Sequence, residues 1–171
     1  MTGIVFGCFI PLHSGHANLI RKATSECDRV VVVSCGHKND RGENFIPFED
    51  REPLVKEHLA ITGALSKCAV CTVDDEKIHP DKDYSHVSWK GWLREFFKSS
   101  GISENEPLVW YTGEQSYAED IARLRPNDSF VLADRSEIPI SGTMIRENPK
   151  EYESRISIPY RKYLRNKGIL R

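Results

Sequence analysis

Four consecutive valines at positions 30–33 are the feature that most restricts how this chain can fold. An unbroken run of β-branched residues predicts a strand that is buried on both faces, as in a parallel sheet covered by helices. The earlier run Ile4-Val5-Phe6 predicts another buried strand, and a helix is predicted between the two runs. Together these segments predict a β-α-β unit with a right-handed crossover.

Strands and helices alternate along the rest of the chain. The predicted strands cover about residues 3–7, 30–34, 68–73, 108–111 and 129–133. The predicted helices cover about residues 14–26, 49–59, 89–98, 115–124, 141–146 and 152–167. Pro53 is tolerated in the second helix only if it falls in the first turn, and Pro159 would begin or interrupt the last helix. This alternation predicts an α/β fold, a doubly wound parallel sheet with helices on both faces, in one domain over residues 1–171.

The composition excludes several classes of protein. The 171 residues carry a net charge of −1, which argues against a broad surface for nucleic acid or for a membrane. No apolar run is long enough to span a bilayer, and the N-terminus has no signal-peptide pattern. The expected compartment is therefore the cytoplasm.

The five cysteines are expected to be free thiols, because their number is odd and no secretory signal accompanies them. Cys68 and Cys71 form a C-x-x-C pattern within a predicted strand. An odd offset in a strand points two side chains to opposite faces, so neither a redox pair nor a zinc site is expected there.

The stretch Gly7-Cys8-Phe9-Ile10-Pro11-Leu12-His13-Ser14-Gly15-His16 joins the first strand to the first helix. Ligands of open α/β sheets bind at the carboxyl ends of the strands, and a helix N-terminus there offers N–H groups to an anion. Two histidines at this position predict a site that handles phosphate.

A second candidate phosphate site follows the last predicted strand, in Ile140-Ser141-Gly142-Thr143-Met144-Ile145-Arg146. A hydroxyl N-cap, a glycine and an arginine one turn into the helix would converge on an anion. Taken alone, the stretch fits a plainly capped helix equally well. Two such signals at the carboxyl ends of strands in one sheet favour a shared site.

These motifs resemble those of the HxGH nucleotidyltransferases, which implies their Rossmann-like fold. The resemblance is strongest to nicotinamide mononucleotide (NMN) adenylyltransferases, especially the adenylyltransferase domain of NadR-type proteins. It extends to the segments Arg41-Gly42-Glu43-Asn44, Trp89-Lys90-Gly91-Trp92-Leu93 and Tyr111-Thr112-Gly113-Glu114-Gln115 and to Arg51. No G-x-x-x-x-G-K-[ST] pattern occurs, so the kinase activity of longer relatives is not expected, and an N-terminal helix-turn-helix is not expected either.

The resemblance implies transfer of AMP from ATP to NMN, giving NAD⁺ and pyrophosphate, with Mg²⁺ on the ATP phosphates. The expected ligands are therefore small molecules, without nucleic acid or membrane, and a homo-oligomer is possible. The residues implied to act on the reacting phosphates are His13, His16 and Arg146. Further nucleotide contacts are implied for Gly7, Cys8, Phe9, Gly15, Gly113, Glu114, Ser141 and Thr143.

The resemblance implies that Trp89 stacks on the cationic nicotinamide ring, a cation–π contact, and leaves Trp92 to the core. Asn44, Arg51 and Arg135 are predicted to reach a phosphate of NMN or ATP, although exposed arginines are more often merely solvated. His86 is a candidate contact to the carboxamide. His37, His58 and His79 are expected on the surface.

Two alternatives remain open at the level of sequence. One is another small nucleotidyltransferase, of the phosphopantetheine or glycerol-phosphate type, whose acceptor has no aromatic ring for Trp89. The other is a pyridine-nucleotide sensor without turnover, against which the intact pair His13 and His16 argues. The preference between NMN and its deamidated counterpart also stays open.

Overall fold

The computed structural model describes residues 1–38, 40–78, 88–134, 136 and 138–171. Five parallel strands form one sheet in the order β3-β2-β1-β4-β5. The strands are β1 Thr2–Gly7, β2 Arg29–Gly36, β3 Cys68–Asp74, β4 Leu108–Thr112 and β5 Ser129–Leu132. The helices are α1 Ser14–Glu26, α2 Phe48–Ile61, α3 Trp89–Ser100, α4 Gln115–Leu124, α5 Gly142–Glu147 and α6 Ile158–Asn166. Short 3-10 turns occupy Asp75–Lys77 and Glu153–Arg155.

Helices cover both faces of the sheet, as predicted. Successive residues of β1 point to opposite faces, so that Val5 enters one core and Ile4 the other. The first core contains buried residues of α1, α2 and α6, and the second contains those of α3 and α4. The four central valines of β2 alternate between the two cores in the same way. This double covering explains why β2 has no polar face.

The strand order places a topological switch point between β1 and β4. The chain builds β2 and β3 outward on one side of β1, then crosses to build β4 and β5 on the other side. The connections that leave β1 and β4 therefore diverge, which opens a crevice at the carboxyl ends of these two strands. Both predicted phosphate motifs and the Gly113-Glu114 turn lie at this edge.

Two predictions about particular residues can be compared with the fold. All five cysteines are free, and Cys68 packs against the first core while Cys71 lies in the second, which confirms the opposite-face prediction. The condition on Pro53 is wrong: α2 begins at Phe48, so Pro53 lies in the second turn, inside the helix. Within the described part of the chain, no helix is long and apolar enough to cross a membrane.

Candidate active site

A cavity of about 840 Å³ lies at the carboxyl ends of β1 and β4. This volume is in the range of sites for nucleotide-sized ligands. The structure brings together most of the residues predicted from sequence, which come from four separate segments of the chain. The cavity lining includes Gly7, Cys8, Phe9, His13, Gly15, His16, Trp89, Gly113, Glu114, Ser141, Thr143 and Arg146.

The two histidines also cap α1. His13 is the N-cap, and its Nδ1 accepts a hydrogen bond from the Gly15 N–H at 3.1 Å. The Nδ1 of His16 accepts one from the His13 N–H at 3.3 Å, which completes a capping box. A neutral imidazole that accepts at Nδ1 carries its hydrogen at Nε2. The cap thus sets both rings in the tautomer whose Nε2–H can donate to a phosphate oxygen.

The packing around the histidines fixes the orientation of their rings. The His13 and His16 rings stack with centroids 3.9 Å apart, and Phe9 meets His16 edge-on at 4.9 Å. Phe9 has a φ of 52°, a strained conformation for a bulky residue, and strain of this kind is concentrated at functional sites. A Cβ at Gly15 would lie 2.9 Å from His13 Cε1, so only glycine fits beneath that ring.

The start of α5 forms the opposite wall of the phosphate end. Ser141 caps the helix, with its Oγ accepting from the Met144 N–H at 3.2 Å. Arg146 donates from Nη1 to the Ile10 carbonyl at 2.7 Å and from Nη2 to Thr143 Oγ1 at 3.1 Å. The bond to Ile10 ties α5 to the loop between β1 and α1, and the bond to Thr143 fixes the side chain within α5. Burial lowers the pKa of Arg146, the nearby charge of Arg41 adds to this effect, and an arginine nevertheless stays protonated.

Aromatic side chains form the other end of the cavity. Trp92 is only 5% exposed and stacks on Phe96 at 5.7 Å, so it belongs to the core. Trp89 is half-buried and lines the cavity, with Tyr117 at 5.2 Å and Phe6 at 6.1 Å between ring centroids. A planar apolar wall of this kind can accept an aromatic ring of a ligand.

The structure does not bring Arg51 into the cavity, and this corrects its predicted contact with a substrate phosphate. Its side chain is 0% exposed and donates to both oxygens of Asp40, at 2.8 and 2.6 Å. Its Nε also donates to the Ile46 carbonyl at 2.9 Å. Burial raises the pKa of Asp40, but the hydrogen bonds and charge of Arg51 outweigh burial and leave that pKa below its usual value. Arg51 therefore anchors the loop after β2.

The remaining predicted residues are Asn44, Arg135 and four histidines. Asn44 is exposed and is not part of the cavity lining. The expectation that His37 and His58 lie on the surface is wrong, because both side chains are buried by the loop after β2 and by α6. Arg135, His79 and His86 lie outside the described residues.

Arg41 and Asp75 are two charged residues among the cavity-lining residues that sequence reasoning missed. Arg41 is exposed and reaches the cavity from the loop that Arg51 anchors. Asp75 lines the cavity from the 3-10 turn after β3, and burial, with the charges of Asp40 and Asp74, raises its pKa to about 7. Both follow the carboxyl ends of strands, the same signal that identified the histidines.

Comparisons with known proteins agree with this geometry. A model of the cytidylyltransferase-like family matches residues 4–148. The trifunctional NAD biosynthesis/regulator protein NadR of Salmonella typhimurium is 31% identical over 162 residues, covering 88% of this chain and 37% of that protein. The chain thus spans a little over one third of the length of this curated relative.

Solved structures of similar proteins share the fold. A crystal structure of NadR protein in complex with NR has a TM-score of 0.77 at 30% identity, covering 95% of this chain and 45% of that chain. A structure of NadR protein in complex with NAD and AMP-PNP has a TM-score of 0.73 at 29% identity, covering 95% of this chain and 46% of that chain.

The residues matched by the family model run from β1 to the end of α5. They include both phosphate motifs, the helix that begins at Trp89 and all of the parallel sheet except the first two residues of β1. Sequence, strand order and the contents of the cavity point to the same group of proteins. The chain belongs to the cytidylyltransferase-like family and is a nucleotidyltransferase.

Proposed function

We propose that this protein is an NMN adenylyltransferase, which transfers AMP from ATP to NMN and releases pyrophosphate. The observation that carries the proposal is the single cavity that joins a phosphate end, with His13, His16 and Arg146, to an aromatic end at Trp89. The likeness to NadR supports it, because one solved NadR structure is in complex with NAD and AMP-PNP, a product-like and an ATP-like ligand.

In this mechanism the 5′-phosphate of NMN attacks the α-phosphorus of ATP in line, and pyrophosphate leaves. The attacking phosphate is anionic near neutral pH, so the protein need not supply a base. Catalysis then consists of positioning and of stabilising the charge that develops on the phosphates. His13 and His16 donate Nε2–H groups to those oxygens, and Arg146 supplies a fixed positive charge.

At the aromatic end, Trp89 holds the nicotinamide ring. A cationic pyridinium against an indole face is stabilised by about 2 kcal/mol when both are desolvated. Arg41 lies at the cavity and acts on Arg146 through its charge, so the two arginines together favour a polyanionic ligand between them. Ser141 and Thr143 contribute hydroxyls at the same wall.

The phosphate end fits a Mg²⁺ ion that arrives with ATP. The side chains there are hydrogen-bond donors and cations rather than carboxylates, so the ion would be bound by phosphate oxygens and water. In the ranges that the structure describes, no group of three His, Cys, Asp or Glu side chains is placed to hold a metal. When bound, the ion would neutralise charge on the phosphates.

A panel of acceptors tests the proposal. Purified protein with ATP and Mg²⁺ is incubated separately with NMN, nicotinic acid mononucleotide and phosphopantetheine, and CTP is tested with glycerol phosphate. We expect a dinucleotide product from a pyridine mononucleotide only. Product from phosphopantetheine or glycerol phosphate alone would overturn the proposal, and NMN binding without product would identify a sensor.

A further inference from the structure

Asp75 lines the same cavity as Trp89. It begins the 3-10 turn Asp75–Lys77, and Lys77 and the next residue, Ile78, lie beside α3. Lys77 Nζ lies 3.9 Å from Glu95 Oε2, and Ile78 Cγ2 lies 3.1 Å from the position that a Cβ would take at Gly91. Gly91 is in the first turn of α3, which begins with Trp89. Asp75 and Trp89 therefore line the cavity from neighbouring segments, the turn after β3 and the start of α3.

The Asp75 carboxylate lacks a side-chain hydrogen-bond donor and an ion-pair partner among the described residues. It is half-buried, and across residues 1–38, 40–78, 88–134, 136 and 138–171 no side chain hydrogen-bonds to it or forms an ion pair with it. Arg51, a cation whose charge acts on Asp75, has both terminal nitrogens bonded to Asp40. The raised pKa of Asp75 is the electrostatic result of this position.

The surroundings of Asp75 also disfavour an anion. Its charge acts on the thiols of Cys8 and Cys35, and Asp40 and Asp74 add negative charge. A ligand group that is cationic or that donates an N–H would stabilise the ionised Asp75 carboxylate. A ligand carboxylate would instead be repelled by it. The amidated pyridine ring is cationic and carries N–H donors, and its deamidated counterpart carries a carboxylate at that place.

We propose that Asp75 is a specificity-determining residue, which selects the amidated pyridine mononucleotide over the deamidated one by contacting the carboxamide end of the ring. This inference rests on the proposed function of the site. It concerns the preference between NMN and its deamidated counterpart, which the sequence alone leaves open.

The test is the ratio of kcat/KM for NMN to kcat/KM for nicotinic acid mononucleotide. We expect wild-type protein to prefer NMN and Asp75→Asn to lower the ratio about tenfold or more, chiefly through the two KM values. Asp75→Glu keeps the charge and should retain most of the preference. Glu76→Gln is the matched control, because Glu76 pairs with Lys38 at 2.7 Å and is not part of the cavity lining.

The outcomes separate the two proposals. If wild-type protein forms no dinucleotide from either substrate, the proposed function itself fails. If it forms dinucleotide but prefers the deamidated substrate, or if active Asp75→Asn keeps the wild-type ratio, only the role of Asp75 is overturned. Should Asp75→Asn fail to fold, Asp75→Ser provides the same neutralisation and the same ratio to measure.

Discussion

His16 is the residue whose two functions can be separated most cleanly. Its Nδ1 contributes to the cap of α1, and its Nε2 is assigned to the phosphates. His16→Ala removes both and should lower kcat about 10²–10³-fold while leaving NMN affinity nearly intact. The lost cap should also lower the free energy of unfolding by about 1 kcal/mol.

His16→Gln is the matched variant, because glutamine at this position of a capping box can restore the cap without restoring the imidazole. We expect it to recover stability but not turnover. Steady-state kinetics, NMN titration by tryptophan fluorescence and thermal unfolding measure the three quantities. A kcat close to that of the wild type in either variant would contradict the assignment.

Trp89 gives a second prediction at the scale of single residues. If it stacks on nicotinamide, Trp89→Ala should raise the KM for NMN about 30-fold, the equivalent of ~2 kcal/mol, with little change for ATP. Trp92→Phe is the control, because Trp92 is in the core and should affect stability more than KM. Equal effects of Trp89→Ala on the KM values for NMN and ATP would argue for a general packing role.

The loop between β2 and α2 is held by a buried ion pair rather than by its own secondary structure. Asp40 accepts from the N–H groups of His37 and Gly42 as well as from Arg51. A Cβ at Gly36 or at Gly42 would collide with the Arg51 guanidinium, so the arginine fills the space between two glycines. This arrangement positions Arg41 at the cavity.

Arg51→Leu should therefore destabilise the fold. Removing one partner of a buried pair leaves the Asp40 charge uncompensated, and we expect a loss of about 3–5 kcal/mol in the free energy of unfolding. Arg123→Leu is the control, because Arg123 is exposed, pairs with Asp120 at 3.1 Å and should change stability by less than about 1 kcal/mol. Denaturant titration measures both. A stable Arg51→Leu protein with a raised KM for NMN would restore Arg51 as a substrate ligand.

The elements show which parts of the structure local sequence could predict. The predicted bounds of α1 and α4 agree with the structure. Nearby residues set the ends of each helix, and the spacing of its apolar residues can be seen within the helix sequence itself. The roles of Arg51 and Asp75 could not be predicted in this way. Whether Arg51 is solvated, bound to a ligand or paired depends on how the loop after β2 packs on α2 and on Asp40, eleven residues away. The pKa of Asp75 depends on the cavity itself.

At the scale of the whole molecule, the raised pKa of Asp75 predicts a pH-dependent stability. The unfolded carboxyl ionises near pH 4 and the folded one near pH 7, so the folded state holds the extra proton between these values. The contribution of Asp75 to stability must therefore fall as pH rises from about 4 to about 7. Asp75→Asn, which resembles the protonated form, should be the more stable protein at pH 8 and equal to wild type near pH 4.

The difference in Tm between Asp75→Asn and wild type isolates this effect from other titrating groups. Those groups include His58, whose pKa burial lowers, and they are common to both proteins. A difference that stays constant from pH 4 to pH 8 would show that Asp75 titrates at its ordinary pKa in the folded protein.

The strand order brings segments that are distant in sequence together at one cavity. The switch point between β1 and β4 gathers the histidine motif, the turn after β4 and the start of α5, while α3 supplies the tryptophans from the other face of the sheet. The sequence predicts each segment, but only the fold brings them to one cavity. The proposed transfer of AMP from ATP to NMN requires that arrangement.

The most direct test of this account is phosphorus NMR of a mixture of the protein with ATP, Mg²⁺ and NMN. We expect NAD⁺ and pyrophosphate in equal amounts, and in His16→Gln both products should form about 10²–10³-fold more slowly, in parallel. ATP hydrolysis without NAD⁺, or NMN binding with neither product, would contradict it.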